Sequence, residues 1–254
     1  MDVLKTIILA IVQGITEFLP ISSSGHLVLF GKYLEPGGNP VLLSAFLHFG
    51  TLIAVIAVYW NDIWRILFKD RIIIGYLIVA TIPAVIAGLL LKDWFEEMFT
   101  KPHLIGYFLI FTSLILLVGF IADKRISQKK PLGWAQSFII GIAQAVAIVP
   151  GVSRSGSTIS VGLMCGLDRE KSARFAFLMA IPAILGGLML ELKDAMEPAA
   201  AEGITAAHLI GMAVAAIVGY IALRLLLAVL HRGNFVWFSL YCFIVGICAI
   251  IFVR

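Results

Sequence analysis

Long apolar segments, separated by short polar ones, run along the whole chain. A helix that crosses a lipid bilayer needs about 20 mostly apolar residues. The pattern therefore predicts an all-α, polytopic membrane protein with about six transmembrane helices. The predicted spans cover residues 40–60, 72–91, 102–121, 174–190, 207–230 and 234–253.

Two further apolar segments, 4–34 and 134–166, are interrupted near their middle by polar, glycine-containing stretches. The interruptions read FLPISSSGH at 18–26 and VPGVSRSGST at 149–158. Each half is too short to cross a bilayer. Irregular backbone at membrane depth is tolerated only inside protein or around a cavity. Both segments are therefore predicted to be re-entrant helical hairpins with buried tips.

The chain also contains an internal repeat, visible at an offset of 131 residues. Most of the matched positions are polar or glycine, which an apolar composition does not favour. We interpret the chain as a single membrane domain, 1–254, built from two copies at about 1–122 and about 132–254. Each copy would hold one hairpin and three spans. Because three is odd, the second copy enters from the opposite side, and both tips converge near the midplane. The matches pair Gln13 with Gln144, Ser22 with Ser153, Ser24 with Ser155, Gly25 with Gly156 and Gly31 with Gly162.

Composition excludes several classes of protein. Hydrophobic residues make up 61% of the chain and charged residues only 13%, whereas soluble domains carry about 25% charged residues. A soluble enzyme, a disordered chain and a secreted disulfide scaffold are excluded. The net charge of +4 is spread between the spans, so no basic patch for nucleic acid is expected.

Loop charges predict the orientation of the chain in the membrane. Eleven lysines and arginines lie in segments 61–71, 122–133, 167–174 and 231–233, against six on the other side. The positive-inside rule places the first group in the cytoplasm. Both termini, and the mouth of a site between the hairpins, are then expected to face outward. Lys5 and Lys32, near the base of the first hairpin, are expected to flank that mouth.

The hairpin interruptions carry ionisable residues that are costly to bury in a membrane. Glu17 and Arg154 mark a candidate functional site, although a structural ion pair between the tips is the alternative. Hydroxyl groups, including Ser155, and the imidazole of His26 surround them. Arginine matches phosphate oxygens with a planar fork of donors, and the helices that start near Gly25 and Gly156 direct N–H groups toward an anion. The combination suits phosphate chemistry. His48, inside a span, is interpreted as a packed helix histidine, with a place in the site wall as the alternative.

The two interruptions resemble the signatures of a known family. QGITEFLPISSSGH at 13–26 is similar to the first signature of the bacterial undecaprenyl-diphosphate phosphatases of the bacitracin-resistance type, and PGVSRSGST at 150–158 to the second. The resemblance covers nearly the whole chain. It implies hydrolysis of a polyprenyl diphosphate lipid to its monophosphate in the bacterial plasma membrane. It also implies a divalent cation, Mg²⁺ or Ca²⁺.

The resemblance implies catalytic roles for Glu17, Ser23, His26 and Arg154. Ser23 is the expected nucleophile, with Ser22, Ser24 and direct attack by water left open. Gln13 stands where the family has glutamate or glutamine, so Glu17 is the one tip carboxylate. Glu17 is expected either to deprotonate Ser23 or to position the cation as a metal ligand. A cation would then be held largely by the substrate diphosphate. The expected substrate-binding residues are Gln13, Ser22, Ser24, Gly25, Ser153, Ser155, Gly156 and Thr158.

Two alternatives compete with this interpretation. Inverted repeats with broken helices are typical of secondary transporters, so a polyprenyl-phosphate transporter or flippase is the first. The other superfamily of membrane lipid phosphatases, with motifs KxxxxxxRP, PSGH and SRxxxxxHxxxD, is the second. It is rejected because the chain has no Arg-Pro dipeptide and has Ser160 where the histidine should stand. A homodimer is left open by the sequence.

Overall fold

The computed structural model describes residues 2–31, 34, 37–195 and 203–253. These residues form twelve α-helices and no strand. The helices are α1 (Val3–Phe18), α2 (Ser23–Gly31), α3 (Pro40–Val58), α4 (Trp60–Phe68), α5 (Ile72–Leu90), α6 (Lys92–Phe99), α7 (Pro102–Arg125), α8 (Trp134–Val146), α9 (Arg154–Met164), α10 (Arg169–Ala195), α11 (Ala206–Arg232) and α12 (Val236–Phe252).

The predicted all-α, polytopic architecture is confirmed. Helices α3, α5, α7, α10 and α11 are long and apolar enough to cross a bilayer. The sixth predicted span forms α12, an apolar helix of 17 residues, which is near the lower limit of spanning length. Leucine, isoleucine and phenylalanine side chains cover the outward faces of these helices. The chain is a multi-pass membrane protein.

One segment that was expected to be a loop is helical. Residues 61–71 contain most of α4, which follows α3 almost directly. Trp60, Trp64 and Phe68 recur every fourth residue, and their rings contact each other along one face, with centroids 5.8 and 5.0 Å apart. Side chains four apart are neighbours on a helix. This aromatic row explains why the loop prediction was wrong.

The four segments that were counted as cytoplasmic meet at one end of the molecule. Arg174 at the start of α10 pairs with Asp62 of α4 at 3.5 Å. Arg169 pairs with Asp123 at the end of α7 at 2.7 Å and donates to the carbonyl oxygen of His231 at 3.4 Å. These contacts place the four charged segments on a common side, as the charge argument requires. Which side of the membrane they face stays a prediction.

The two broken segments fold as pairs of short helices. Helix α1 packs against α2, and α8 packs against α9. The pairs also exchange partners, because α1 packs on α11 while α8 packs on α5. An offset of 131 residues carries α1 onto α8 and α5 onto α11. The hairpins of the two halves thus interlock, which brings their tips together. The exact division near 122 and 132 stays a prediction.

Candidate active site

The carboxylate of Glu17 is the centre of the polar cluster between the tips. Glu17 lies in the last turn of α1 and is buried. Its Oε2 accepts a hydrogen bond from Ser23 Oγ at 2.6 Å and one from Gln13 Nε2 at 3.0 Å. Its Oε1 accepts a hydrogen bond from Arg154 Nη2. Four residues predicted from sequence are therefore in direct contact.

The contacts of Ser23 bear on the choice between a structural and a catalytic ion pair. Both a structural and a catalytic ion pair require that Glu17 and Arg154 are in contact. A buried structural pair would also be stabilised by such a hydrogen bond, because the remaining lone pairs of its carboxylate need donors. A serine whose hydroxyl donates to a base is the arrangement that activates a nucleophile. The contact of Ser23 with Glu17 is therefore compatible with both alternatives, and it places Glu17 where a base for Ser23 would stand.

The two tips share one local structure. Ser22 Oγ accepts a hydrogen bond from the N–H of Gly25 at 3.2 Å, and Ser153 Oγ accepts one from the N–H of Gly156 at 3.1 Å. A side-chain oxygen that satisfies the free N–H groups of the first turn is the usual N-cap interaction. The repeat predicted from sequence is thus reproduced in hydrogen bonds at its most polar positions.

Glycines allow the tips to approach each other. A Cβ atom placed on Gly25 would lie 3.1 Å from the Cα atom of Gly151, and one on Gly156 would lie 3.2 Å from Pro20 Cβ. Gly151 has φ +96°, a backbone conformation that residues other than glycine rarely adopt. The glycines predicted as substrate-binding residues thus have a packing function between the hairpins as well.

Symmetry between the tips is broken at the positions that carry charge. Ser23 and Arg154 occupy equivalent places at an offset of 131, and both donate to Glu17. The residue equivalent to Glu17 is Ile148. The site therefore has one carboxylate, approached by a hydroxyl from one tip and a guanidinium from the other.

The three neighbouring serines differ in their surroundings. Ser22 is buried, has φ +71° and caps α2 with its hydroxyl. A non-glycine residue in this conformation costs on the order of 1–3 kcal/mol and is often found at functional sites. Ser24 Oγ lies 3.4 Å from Ser22 Oγ. Among the three, Ser23 is the serine bonded to Glu17.

His26 is fixed by hydrogen bonds at both ring nitrogens. Nδ1 lies 2.8 Å from the carbonyl oxygen of Ser22, which can only accept, so Nδ1 carries a proton. Nε2 lies 2.8 Å from the hydroxyl of Tyr241 on α12, and the two rings stack at 5.8 Å. Sequence reasoning missed Tyr241, because nothing in an apolar span marks one tyrosine as a partner of a histidine 215 residues away.

The remaining residues of the second tip hold it against its neighbours. Ser155 Oγ donates to the carbonyl oxygen of Leu19 at 3.2 Å, which links the tips directly. Thr158 Oγ1 donates to the carbonyl oxygen of Arg154 at 2.8 Å. Thr112 of α7, which sequence reasoning also missed, accepts from the N–H of Ser153 at 3.0 Å. Thr158 and Thr112 support the tip rather than contact Glu17.

Comparison with known proteins identifies the family of the chain. The family profile described as bacitracin resistance protein BacA matches residues 6–248. This chain belongs to the BacA family. It is 45% identical over 253 residues to an undecaprenyl-diphosphatase of Rhodopirellula baltica, and the matched region covers 98% of each protein. It is 40% identical to an undecaprenyl-diphosphatase of Halothermothrix orenii, over 99% of this chain and 98% of that protein. The resemblance found in the two signatures is confirmed.

The candidate site of this BacA chain supplies few oxygen ligands for a cation. Within the described ranges, no group of three or more His, Cys, Asp or Glu side chains could hold a metal ion. Both oxygens of Glu17 accept hydrogen bonds, and the guanidinium of Arg154 lies where a cation would be repelled. The buried Oε1 of Gln13 has no hydrogen-bond partner and is the free oxygen next to Glu17. One amide oxygen is too little for a site made of protein ligands alone.

Proposed function

We propose that this protein is an undecaprenyl-diphosphatase that releases inorganic phosphate from a membrane-bound polyprenyl diphosphate. The observation that carries the proposal is the meeting of Ser23, Glu17 and Arg154 at one buried point. A nucleophile, a base and a guanidinium can together support phosphoryl transfer through a covalent intermediate. The names of relatives that share 38–45% of their residues with the chain support it.

In the first step of the proposed reaction, Ser23 Oγ attacks the terminal phosphorus of the diphosphate. The bond from that phosphorus to the bridging oxygen breaks, and polyprenyl phosphate leaves. Glu17 takes the proton of the hydroxyl, since its Oε2 already accepts that hydrogen bond at 2.6 Å. Arg154 offsets the negative charge on the phosphoryl oxygens.

In the second step, water attacks the phosphoserine, the bond from Ser23 Oγ to phosphorus breaks, and inorganic phosphate leaves. Glu17 returns its proton to Ser23. A base must accept the proton of the water, and His26 is the proposed base. Because Nδ1 already carries a proton, His26 would accept the proton of the water at Nε2. The hydroxyl of Tyr241 is hydrogen-bonded to this nitrogen.

A divalent cation, Mg²⁺ or Ca²⁺, belongs to the proposal only as a companion of the substrate. The diphosphate oxygens would hold most of its coordination positions. The amide oxygen of Gln13 is the protein atom available to complete its shell. No step of the reaction above depends on it.

The orientation proposed for the protein follows from loop charge. The charged end, which contains Asp62, Asp123, Arg169 and Arg174, faces the cytoplasm of a bacterial cell. Both termini and the mouth of the site then face outward, with Lys5 beside the mouth. Lys32, its predicted counterpart, lies outside the described residues. A homodimer stays a prediction.

The substrate must reach the tips while its tail stays in lipid, because each CH₂ moved into water costs about 0.8 kcal/mol. The decisive experiment measures release of inorganic phosphate by the purified protein in lipid vesicles, with and without chelator. Long polyprenyl diphosphate is compared with a tail-less diphosphate at equal bulk concentration. We expect release from the lipid and a much lower kcat/KM for the tail-less compound. Movement of the lipid across the membrane without phosphate release would instead support a transporter.

A further inference from the structure

A second polar cluster connects α3 and α10 beside the tips. His48 Nδ1 lies 3.4 Å from Glu191 Oε1. Ser44 Oγ donates to the same oxygen at 3.0 Å and lies 3.3 Å from His48 Nδ1. The other oxygen of Glu191 is enclosed and has no hydrogen-bond partner. The expectation that His48 is a packed, hydrogen-bonded helix histidine describes these contacts only in part, because 28% of its side chain is exposed.

The position of this cluster relates it to the site. Ser44 lies one turn inside the beginning of α3, and Glu191 lies one turn before the end of α10. Those helix ends are opposite to the end where the charged segments meet. His48 is one turn deeper than Ser44 on α3, and α3 packs against α1, which carries Glu17. The cluster therefore extends from the tips toward the proposed outer mouth.

The polar contacts of His48 are concentrated at one ring nitrogen. Nδ1 is engaged with Glu191 and Ser44, whereas Nε2 has no hydrogen-bond partner among the described residues. A protonated imidazole donates from both nitrogens. Nδ1 would donate to the carboxylate and Nε2 to an anion. A carboxylate that holds one nitrogen of a histidine and presents the other is a common arrangement at functional sites.

The charge balance at the tips indicates a function for Nε2 of His48. Arg154 is the one cation in contact with Glu17, and that carboxylate already offsets its charge. A diphosphate brings at least two negative charges. A second cationic donor near Arg154 would stabilise the part of the head group that the guanidinium does not reach.

We propose that His48, oriented by Glu191, is a second anion-binding residue that receives the diphosphate head group between the outer mouth and Ser23. The proposal rests on the proposed function, because it concerns the same substrate. Glu191 on α10 is in contact with His48, and the charges of Glu17 on α1 and Arg154 on α9 act on it through space. Ser23, Glu17 and Arg154 remain the reacting groups, and His48 acts on binding.

The experiment measures KM and kcat for phosphate release from polyprenyl diphosphate by three variants in vesicles. His48→Leu removes the donor, and we expect KM to rise about tenfold or more with kcat within about threefold of the wild type. Glu191→Gln releases the ring, and we expect a smaller rise in KM. His103→Leu, at an exposed position on α7, is the matched control and should leave both constants unchanged.

Two results would overturn the proposal while leaving the proposed function intact. One is an unchanged KM in a folded His48→Leu variant, and the other is a loss confined to kcat. If His48→Leu does not fold, His48→Gln decides, because it keeps the size and polarity of the side chain but not the charge. We expect a rise in KM for His48→Gln, and a wild-type KM would contradict the proposal. Absence of phosphate release by the wild type would contradict the proposed function itself.

Discussion

Glu17 Oε1 accepts a hydrogen bond from Arg154 Nη2, and the two residues are 137 positions apart in the chain. Each residue comes from the tip of a different hairpin. Neither hairpin alone would bury its charge without a partner, since an unpaired charge in a low-dielectric interior is strongly unfavourable. The two halves must therefore pack together before this ion pair, and with it the site, can form.

The fork of Arg154 is expected to matter beyond its charge. Arg154→Lys keeps the positive charge but loses the planar pair of donors that matches phosphate oxygens. We expect kcat/KM for polyprenyl diphosphate to fall by about a hundredfold or more. Arg224→Lys, at an exposed position on α11, should leave it unchanged. Near-native turnover by Arg154→Lys or by Arg154→Ala would show that the assignment of Arg154 is wrong.

Ser23 is expected to be the nucleophile because it is the serine bonded to Glu17. Ser23→Ala should reduce kcat by about a hundredfold or more, and brief reaction of the wild type should yield phosphoserine at this position by mass spectrometry. Ser24→Ala should keep most of the activity. Ser22→Ala should lower stability, because it removes the cap of α2. Full activity of Ser23→Ala with none in Ser22→Ala would reassign the nucleophile.

Tyr241 is expected to act through His26. Tyr241→Phe removes the hydroxyl on His26 Nε2 while it keeps the stacked ring. We expect a fall in kcat of about tenfold, less than the loss from removing a general base outright, with little change in KM and an altered pH dependence of kcat. Tyr220→Phe, on the outer face of α11, is the control. If kcat and its pH dependence stay at wild-type values, Tyr241 has only a packing function.

The orientation of the chain can be tested with introduced cysteines. The background would lack Cys165, Cys242 and Cys248, which are free thiols. Ile204→Cys lies before α11, and Gln128→Cys lies beyond the end of α7; both positions are exposed. An impermeant thiol reagent added to intact cells should label the first and not the second. The opposite labelling would invert the proposed topology.

Much of the architecture could be predicted because the bilayer requires it. Apolar length alone marked six spans, of which five form long helices and one forms the shorter α12, and the polar interruptions marked the hairpins. Glu17 and Arg154 were identified because charge is unusual at that depth, and Ser23 through the resemblance of its segment to the family's first signature. The site residues with the strongest chemistry are thus the ones most visible in an apolar sequence.

What could not be predicted depends on contacts between distant helices. Tyr241, Thr112 and Glu191 each bond to a residue on another helix, and their own sequence surroundings resemble those of any span. Asp123 lies in the charged segment 122–133, yet its side chain is buried and paired with Arg169. The local sequence pattern predicts which segments lie in the membrane. It does not predict which residue of another helix a polar side chain will contact.

The central claim is that Glu17 and Arg154 act as one catalytic unit across the two hairpins. It is tested most directly by a double-mutant cycle on phosphate release from polyprenyl diphosphate, with Glu17→Gln, Arg154→Ala and the combination. We predict that each single variant loses about a hundredfold or more and that the double variant loses little beyond the worse single one, since members of a catalytic unit are not additive. Near-wild-type release by either single variant, or losses that multiply in the double variant, would contradict the claim.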